Sequence, residues 1–211
     1  MRRVKGKCMY VRFTIISGVP AKVDSSVEYL EQTARPQVEA TAGNKGLATL
    51  TGVDARITIA ASYWETAEAL EASGTTLAPL REQVEAAAGG PLSVEEYEVA
   101  LGWRQSIPAR GAVVRLSRME IEPARVDDGI VYYREETAPR LKGAPGLCSF
   151  QLLLDRESGQ GMVATAWENE RVASDFWPTA QKLRDQVTER VGAHFTSIEH
   201  YSLIRTSVQL D

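Results

Sequence analysis

Trp64 and Trp167 stand 103 residues apart and are each followed directly by a glutamate, Glu65 and Glu168. An indole offers a flat apolar wall and a single N–H donor, so such a pair could stack on aromatic ligands; plugging a helix onto a sheet would use the same side chain. His194 and His200 are the only histidines, and either imidazole could act as a general base near neutral pH or serve as a hydrogen-bonded surface group. Glu199 and His200 are adjacent on a strand, so they point to opposite faces and do not form a metal site. Arg12 and Arg115 repeat on the first strand of each copy, and Glu96 and Glu199 on the last. Each Arg–Glu combination reads as a cross-strand ion pair, or as an anchor for an acidic or phenolic ligand. Tyr132, Tyr133, Phe176 and Trp177 enrich the second copy in aromatics, where the first has Ser73 and Gly74 in place of Phe176 and Trp177. That asymmetry favours a pocket in the second copy, with a larger local core as the structural alternative.

The elements that must position these residues are themselves repeated. Val23-Asp24 returns as Val126-Asp127, Pro36 as Pro139 and Leu80 as Leu183, each after 103 residues. A period of that length is a duplicated domain rather than a solenoid unit. Tyr10 to Ile16 alternates as a strand with Val11, Phe13 and Ile15 inward and Arg12 and Thr14 outward. Val113 to Met119 repeats it, with Arg115 and Ser117 outward. Val23, Val27, Leu30 and Ala34 are spaced as a helix, matched by Val126, Ile130, Tyr133 and Thr137. Asp24 and Asp127 are its expected N-caps, and Pro36 and Pro139 its expected interruptions.

Aligning Gly46-Leu47 with Gly146-Leu147 puts a three-residue deletion before the next strand of the second copy. The following hairpin, turning at Thr51 to Asp54 or at Asp155 to Gln160, then regains the three. A second helix follows each tryptophan, broken by Gly74 in one copy and by Pro178 in the other. Strands over Val94 to Leu101 and Thr196 to Ile204 close the copies, and this alignment matches His200 with Tyr97. The order β-α-β-β-α-β, twice, is an α+β, ferredoxin-like architecture. The expected organisation is a flexible tail over 1–8, a first repeat over 9–104, a linker over 105–111 and a second repeat over 112–211.

Composition narrows the function classes. With 44% hydrophobic and 25% charged residues the chain is that of a globular protein, and no apolar run approaches the length of a membrane span. A net charge of −4 opposes phosphate-backbone binding, so nucleic acid is not an expected partner. Cys8 and Cys148 lie at unmatched repeat positions without metal-ligand spacing, which reads as two inert thiols in a reducing cytoplasm. The chain contains no Ser-His-Asp arrangement, phosphate-cradling glycine loop or nucleotide fingerprint.

The strand Ile57-Thr58-Ile59-Ala60-Ala61-Ser62-Tyr63-Trp64 running into the acidic, alanine-rich Glu65-Thr66-Ala67-Glu68-Ala69-Leu70 resembles the antibiotic biosynthesis monooxygenase family of dimeric α/β barrels. Gly161 to Glu170 repeats the pattern. The resemblance implies that two ferredoxin-like repeats of one chain pack as an intrachain pseudo-dimer, with a further homodimer left open. It also implies a cofactor-independent oxygenase or related enzyme on a small aromatic, polyketide- or quinol-like molecule. The alternative is a non-catalytic ligand-binding or assembly protein on the same barrel. Under the enzyme reading His200 and Tyr132 are the candidate catalytic groups. Trp167, Trp177, Tyr133, Phe176, Arg115 and Trp64 are the candidate ligand contacts, with no metal and no cofactor expected. The family's haem degraders use an Asn on the first strand and an axial His about ten residues after the tryptophan. Here the first strands lack Asn, and Gly74 and Trp177 stand at the histidine position.

Overall fold

A computed structural model describes residues 9–52 and 56–210; the basic tail over 1–8, with Cys8, and most of the first hairpin turn lie outside the described residues. The strands of the first repeat are β1 (Met9–Ser17), β2 (Asn44–Gly52), β3 (Ile57–Trp64) and β4 (Leu92–Arg104). Those of the second are β5 (Val113–Glu120), β6 (Leu147–Leu154), β7 (Gln160–Trp167) and β8 (His194–Thr206). They hydrogen-bond in the order β1-β3-β2-β8-β5-β7-β6-β4, which closes on itself as an antiparallel barrel and leaves no edge strand open. The chain forms two compact units that change over inside β4 and β8. Val99 onward belongs with the second repeat, and Leu203–Gln209 return to the first.

The helices are α1 (Val23–Tyr29), α2 (Arg35–Ala40), α3 (Ala67–Thr76) and α4 (Ala78–Ala88), then α5 (Val126–Tyr132), α6 (Ala138–Leu141), α7 (Glu170–Asp175) and α8 (Trp177–Val191). Each repeat has its own helix-covered core. In the first it includes Ile16, Leu30, Trp64, Leu80 and Val84; in the second, Met119, Tyr133, Trp167, Leu183 and Val187.

Several local expectations are overturned, each for a physical reason. The prolines do not break the first helices. Pro36 and Pro139 enter the first turns of α2 and α6 after five-residue π-helical segments, Leu30–Ala34 and Tyr133–Thr137. A widened turn lets the helix continue past a residue with no N–H to donate. Asp24 and Asp127 are not N-caps: Lys22 and Arg125 hold that place without a side-chain cap, and the carboxylates sit in the first turn, favourably placed on the helix dipole.

The Gly46–Gly146 match is also wrong. Asn44 pairs with Trp64 and Leu147 with Trp167, and each strand then bulges by one residue. The true counterpart of Gly146 is Gly43: both have positive φ, and their carbonyls accept from Glu168 and Glu65 respectively. The 103-residue spacing therefore runs through the hairpin with no deletion and no regain. Gly74 lies within α3 rather than breaking it. The break falls at Leu77, just before Pro79, whereas in the second repeat it falls at Phe176, just before Pro178. The break stands two residues before the proline in both repeats, and both come four residues earlier in the second.

Arg12 and Arg115 do not face solvent. They are 5% and 7% exposed, because the side of the strand read as outward lies beneath the helices. The last strands are longer than expected, and β8 carries a bulge where its pairing with β5 shifts between Arg118 and Met119. A bulge adds one residue to one strand. Beyond it the spacing is 104: Tyr97 donates to Glu95, and Tyr201 to Glu199. His200 therefore corresponds to Glu96, not to Tyr97.

Arg35 was not singled out by sequence pattern, yet its side chain is 2% exposed. Its Nε and Nη2 donate to the two carboxylate oxygens of Glu31 at 2.9 and 2.8 Å, and Nη1 donates to Glu39 and to the Leu47 carbonyl. Ser207, beyond the end of β8, donates to Glu39 at 2.6 Å and so ties the returning strand to this cluster. Burial alone would raise the Glu31 carboxyl, but hydrogen bonds from Arg35 and Thr49 and the charges of Arg35 and Arg205 hold it below its ordinary value. Replacing Arg35 with Met removes the guanidinium paired with the Glu31 carboxylate. The expected loss is about 3–5 kcal/mol in urea unfolding at neutral pH, with the Leu203–Gln209 amides exchanging fastest. A loss under about 1 kcal/mol would remove Arg35 as the clasp.

Candidate functional site

Each repeat encloses a cleft between its helices and its sheet, at the same place in the fold. The first is lined by Arg12, Leu30, Leu77, Leu80, Arg81 and Val84 among others, and measures about 460 Å³ with the solvent at its mouth. The second measures about 570 Å³ on the same basis. Arg12, Leu30, Leu80 and Arg81 correspond, 103 residues on, to Arg115, Tyr133, Leu183 and Arg184 in the second lining. The backbone frame is shared, and the walls differ. The first cleft is aliphatic; the second has Tyr133, Phe150, Trp167, Phe176, Trp177 and Phe195.

The helix break produces much of this difference. In the first repeat Ser73 lies within α3, and its hydroxyl accepts from Arg12 Nη1 at 2.6 Å. Gly74 follows, and a Cβ there would meet Arg12 Nη2 at 3.3 Å. In the second repeat Phe176 and Trp177 stand at these positions, where the helix breaks. The Phe176 ring lies 5.0 Å from that of Trp167, tilted by 38°. Trp177 is flanked by two cations, with Arg115 Cζ 5.4 Å and Arg184 Cζ 4.6 Å from its ring centre. Each guanidinium is attracted to the negative face of the indole.

The two buried arginines are satisfied differently. Arg12 donates through Nε to Glu96 at 2.7 Å, through Nη1 to Ser73, and through Nη2 to the Leu70 carbonyl at 2.8 Å. Arg115 donates through Nη1 to the Ala173 carbonyl at 2.6 Å and through Nη2 to Glu170 at 3.0 Å. The expected Arg115–Glu199 pair does not form. Glu199 instead accepts from Arg118 at 2.6 Å, because the bulge turns it to the opposite face and brings His200 opposite Arg115. Arg115 Nε is buried with no partner among the described residues.

The remaining candidates divide. Arg115, Tyr133, Trp167, Phe176 and Trp177 converge on the second cleft. His200 is half-buried across the β5–β8 ladder from Arg115, which puts it on the same side of the sheet. Tyr132 lies elsewhere, in an outer groove with Asp128, Glu135 and Arg190. Trp64 is fully buried, and its Nε1 donates to Ser62 at 3.1 Å just as Trp167 Nε1 donates to Thr165 at 3.0 Å. Both indoles are thus anchored on their own strands; Trp167 lines the second cleft, whereas the first cleft is lined without Trp64. Sequence reading missed Arg184, whose only signal was the matching Arg81 one period earlier.

Burial pushes the Tyr133 phenol well above its ordinary value, so it stays protonated at neutral pH. Burial first, and the Arg115 charge second, pull the His200 imidazole below its ordinary value, while Glu170 opposes them. Haem does not fit these residues. No side chain lining the second cleft is His, Cys or Met, and the axial-histidine position holds Trp177, already packed against two cations. Among the described residues no cluster of three or more His, Cys, Asp or Glu could hold a metal ion. No helix among them is long and apolar enough to cross a membrane.

No family model matches the chain. An uncharacterized Mycobacterium tuberculosis protein, Rv2557 of strain H37Rv, is 32% identical over 165 residues, covering 78% of this chain and 74% of the relative. A second protein of that strain, Rv2558, is 27% identical over 203 residues, covering 96% and 86%. Among solved structures, an anthrone oxidase-like protein superposes with a TM-score of 0.68 at 16% identity, over 96% of this chain and 93% of the other. A ferredoxin-fold protein related to antibiotic biosynthesis monooxygenases, from Listeria monocytogenes, gives 0.54 at 16% identity, over 95% and 98%. A heme-degrading enzyme from the same species gives 0.53 at 15% identity, over 92% and 98%. At such identities these likenesses establish the fold alone.

The depressed His200 imidazole has a sign that can be tested. The unfolded chain takes up this proton first as pH falls through the ordinary value of 6.5, so His200 lowers stability progressively below that pH and is neutral to it above. Urea unfolding at pH 7.5 and 5.5 should show a larger acid loss for the natural protein than for His200→Gln. Equal losses would mean that burial and the Arg115 charge do not hold this imidazole below its ordinary value.

Proposed function

We propose, for a chain that belongs to the family of Rv2557 and has the fold of the antibiotic biosynthesis monooxygenases, that the second cleft binds a small aromatic molecule and oxygenates it without a cofactor. The observation that carries this reading is the wall chemistry. Two clefts share one backbone frame, but the second alone combines Trp167, Phe176 and Trp177 with two guanidinium groups. Flat apolar walls with a few fixed polar groups are what an aromatic ligand needs.

His200 is the general base in this reading. Its imidazole is kept neutral at physiological pH and lies on the cleft side of the sheet. It removes a proton from a phenol or its keto tautomer, leaving a carbanion whose charge Arg115 and Arg184 stabilise. The carbanion carbon bonds to O₂, and the peroxide takes up the proton. Loss of water from that hydroperoxide leaves a carbonyl, so one O₂ is consumed and one water released. The phenol of Tyr133, held protonated, can donate a hydrogen bond but cannot serve as a base.

A second reading, a ligand-binding protein without turnover, draws on a different observation: no carboxylate or imidazole is among the residues that line the cleft. Anthrone in air-saturated buffer separates the two. Oxygenation gives one O₂ consumed per anthrone, with Trp177→Ala lowering kcat/KM by about tenfold or more and the first-cleft variant Leu77→Ala leaving it unchanged. Tryptophan quenching without O₂ uptake supports the binding protein. Equal losses in the two variants would refute the second-cleft assignment, and neither quenching nor uptake would refute both readings.

A further inference from the structure

Resting on the aromatic-cleft reading, we infer that the ligand of the second cleft is an aromatic anion, whose carboxylate or equivalent oxygen takes the open Nε of Arg115. The first repeat holds the internal template. There one carboxylate oxygen, Glu96 Oε1, lies 2.7 Å from Arg12 Nε and 2.6 Å from Arg12 Nη2. The bulge in β8 puts His200 in the place of Glu96, so the second repeat keeps the arginine and has lost the carboxylate.

A buried donor without an acceptor is costly, by about 1–3 kcal/mol and more when the group is charged. Arg115 is 7% exposed, so water reaches it poorly. Its other nitrogens have partners, and Nε has none among the described residues. The Ala173 carbonyl takes Nη1, as the Leu70 carbonyl takes a guanidinium nitrogen in the first repeat. Glu170 takes Nη2, with a side chain 60% exposed that sits at the rim rather than beneath the helices.

Charge agrees with geometry. The cleft is lined by Arg115 and Arg184 with no carboxylate between them; Glu170 balances the first from the rim, and Asp185 adjoins the second. Trp167 and Phe176 give the ring of the ligand a wall, while Trp177 lies within cation–π reach of both guanidinium groups that hold the anion. The chemistry selects a planar ring bearing a carboxylate, with a neutral ring of the same shape a poorer ligand.

The test uses 1-naphthoate and its neutral isostere 1-naphthamide, with quenching of Trp167 and Trp177 as the signal. The intact protein should bind naphthoate about tenfold or more tightly than naphthamide, the usual scale for a hydrogen bond to a charged group. His200→Glu restores the carboxylate of the first repeat and should abolish this preference by weakening naphthoate. His200→Gln adds no charge and should retain the preference, which controls for loss of the imidazole; near-ultraviolet circular dichroism checks folding of both variants. Equal affinities in the intact protein, or a preference that survives His200→Glu, would overturn the anion handle and leave the aromatic cleft standing. Failure of both probes to bind would overturn the handle and the cleft together.

Discussion

A guanidinium that stays charged is buried under the helices of each repeat, and the surrounding structure is organised around satisfying it. Arginine cannot shed its proton to escape desolvation, so each N–H needs an acceptor or a compensating charge. The first repeat meets this need fully, with Glu96 from the last strand, Ser73 and the Leu70 carbonyl from α3, and a glycine at position 74 that leaves room. The second meets it partly, with a rim glutamate, a helix carbonyl and the face of an indole. One repeat is closed by its own chain, and the other retains an open donor in an aromatic cleft.

Small backbone changes produce that divergence without disturbing the barrel. A proline placed four residues earlier moves the helix break, and the positions of Ser73 and Gly74 carry Phe176 and Trp177. A single bulge in β8 shifts the side chains beyond it by one, exchanging a carboxylate for an imidazole opposite Arg115. Neither change alters the pairing of β5 with β7, which mirrors that of β1 with β3, from Val113 opposite Trp167 and Tyr10 opposite Trp64. Having both halves in one chain lifts the requirement that they be identical, so one buried arginine can keep an unpaired donor while the other has its polar needs met internally.

The candidate site was legible in proportion to how local its signals were. Trp167, Phe176, Trp177, Tyr133 and Arg115 could be named because aromatic enrichment and the repeated arginine are visible in one dimension. Tyr132 was misjudged by one step around a helix: Tyr133 turns inward and is 3% exposed, whereas its neighbour meets the outer groove. Arg12 and Arg115 were read as solvent-facing because alternation tells which residues share a face, not what covers it. Arg35 was passed over although Glu31 and Glu39 stand four residues to either side, since its burial depends on the Leu47 carbonyl, Thr49 and Ser207, which reach it only in the fold.

The sequence by itself determined the duplication, the β-α-β-β-α-β order and the family resemblance, since periodic hydrophobicity and a fixed 103-residue spacing are properties of the chain read in line. It did not determine register. The bulge in β8 carries a single extra residue and the π-turns widen both first helices, and each changes which side chains meet. Only the tertiary structure decided that His200 takes the place of Glu96 and that Arg115 keeps an open Nε, because hydrogen bonds across strands depend on angstrom-scale positions that spacing along the chain does not encode.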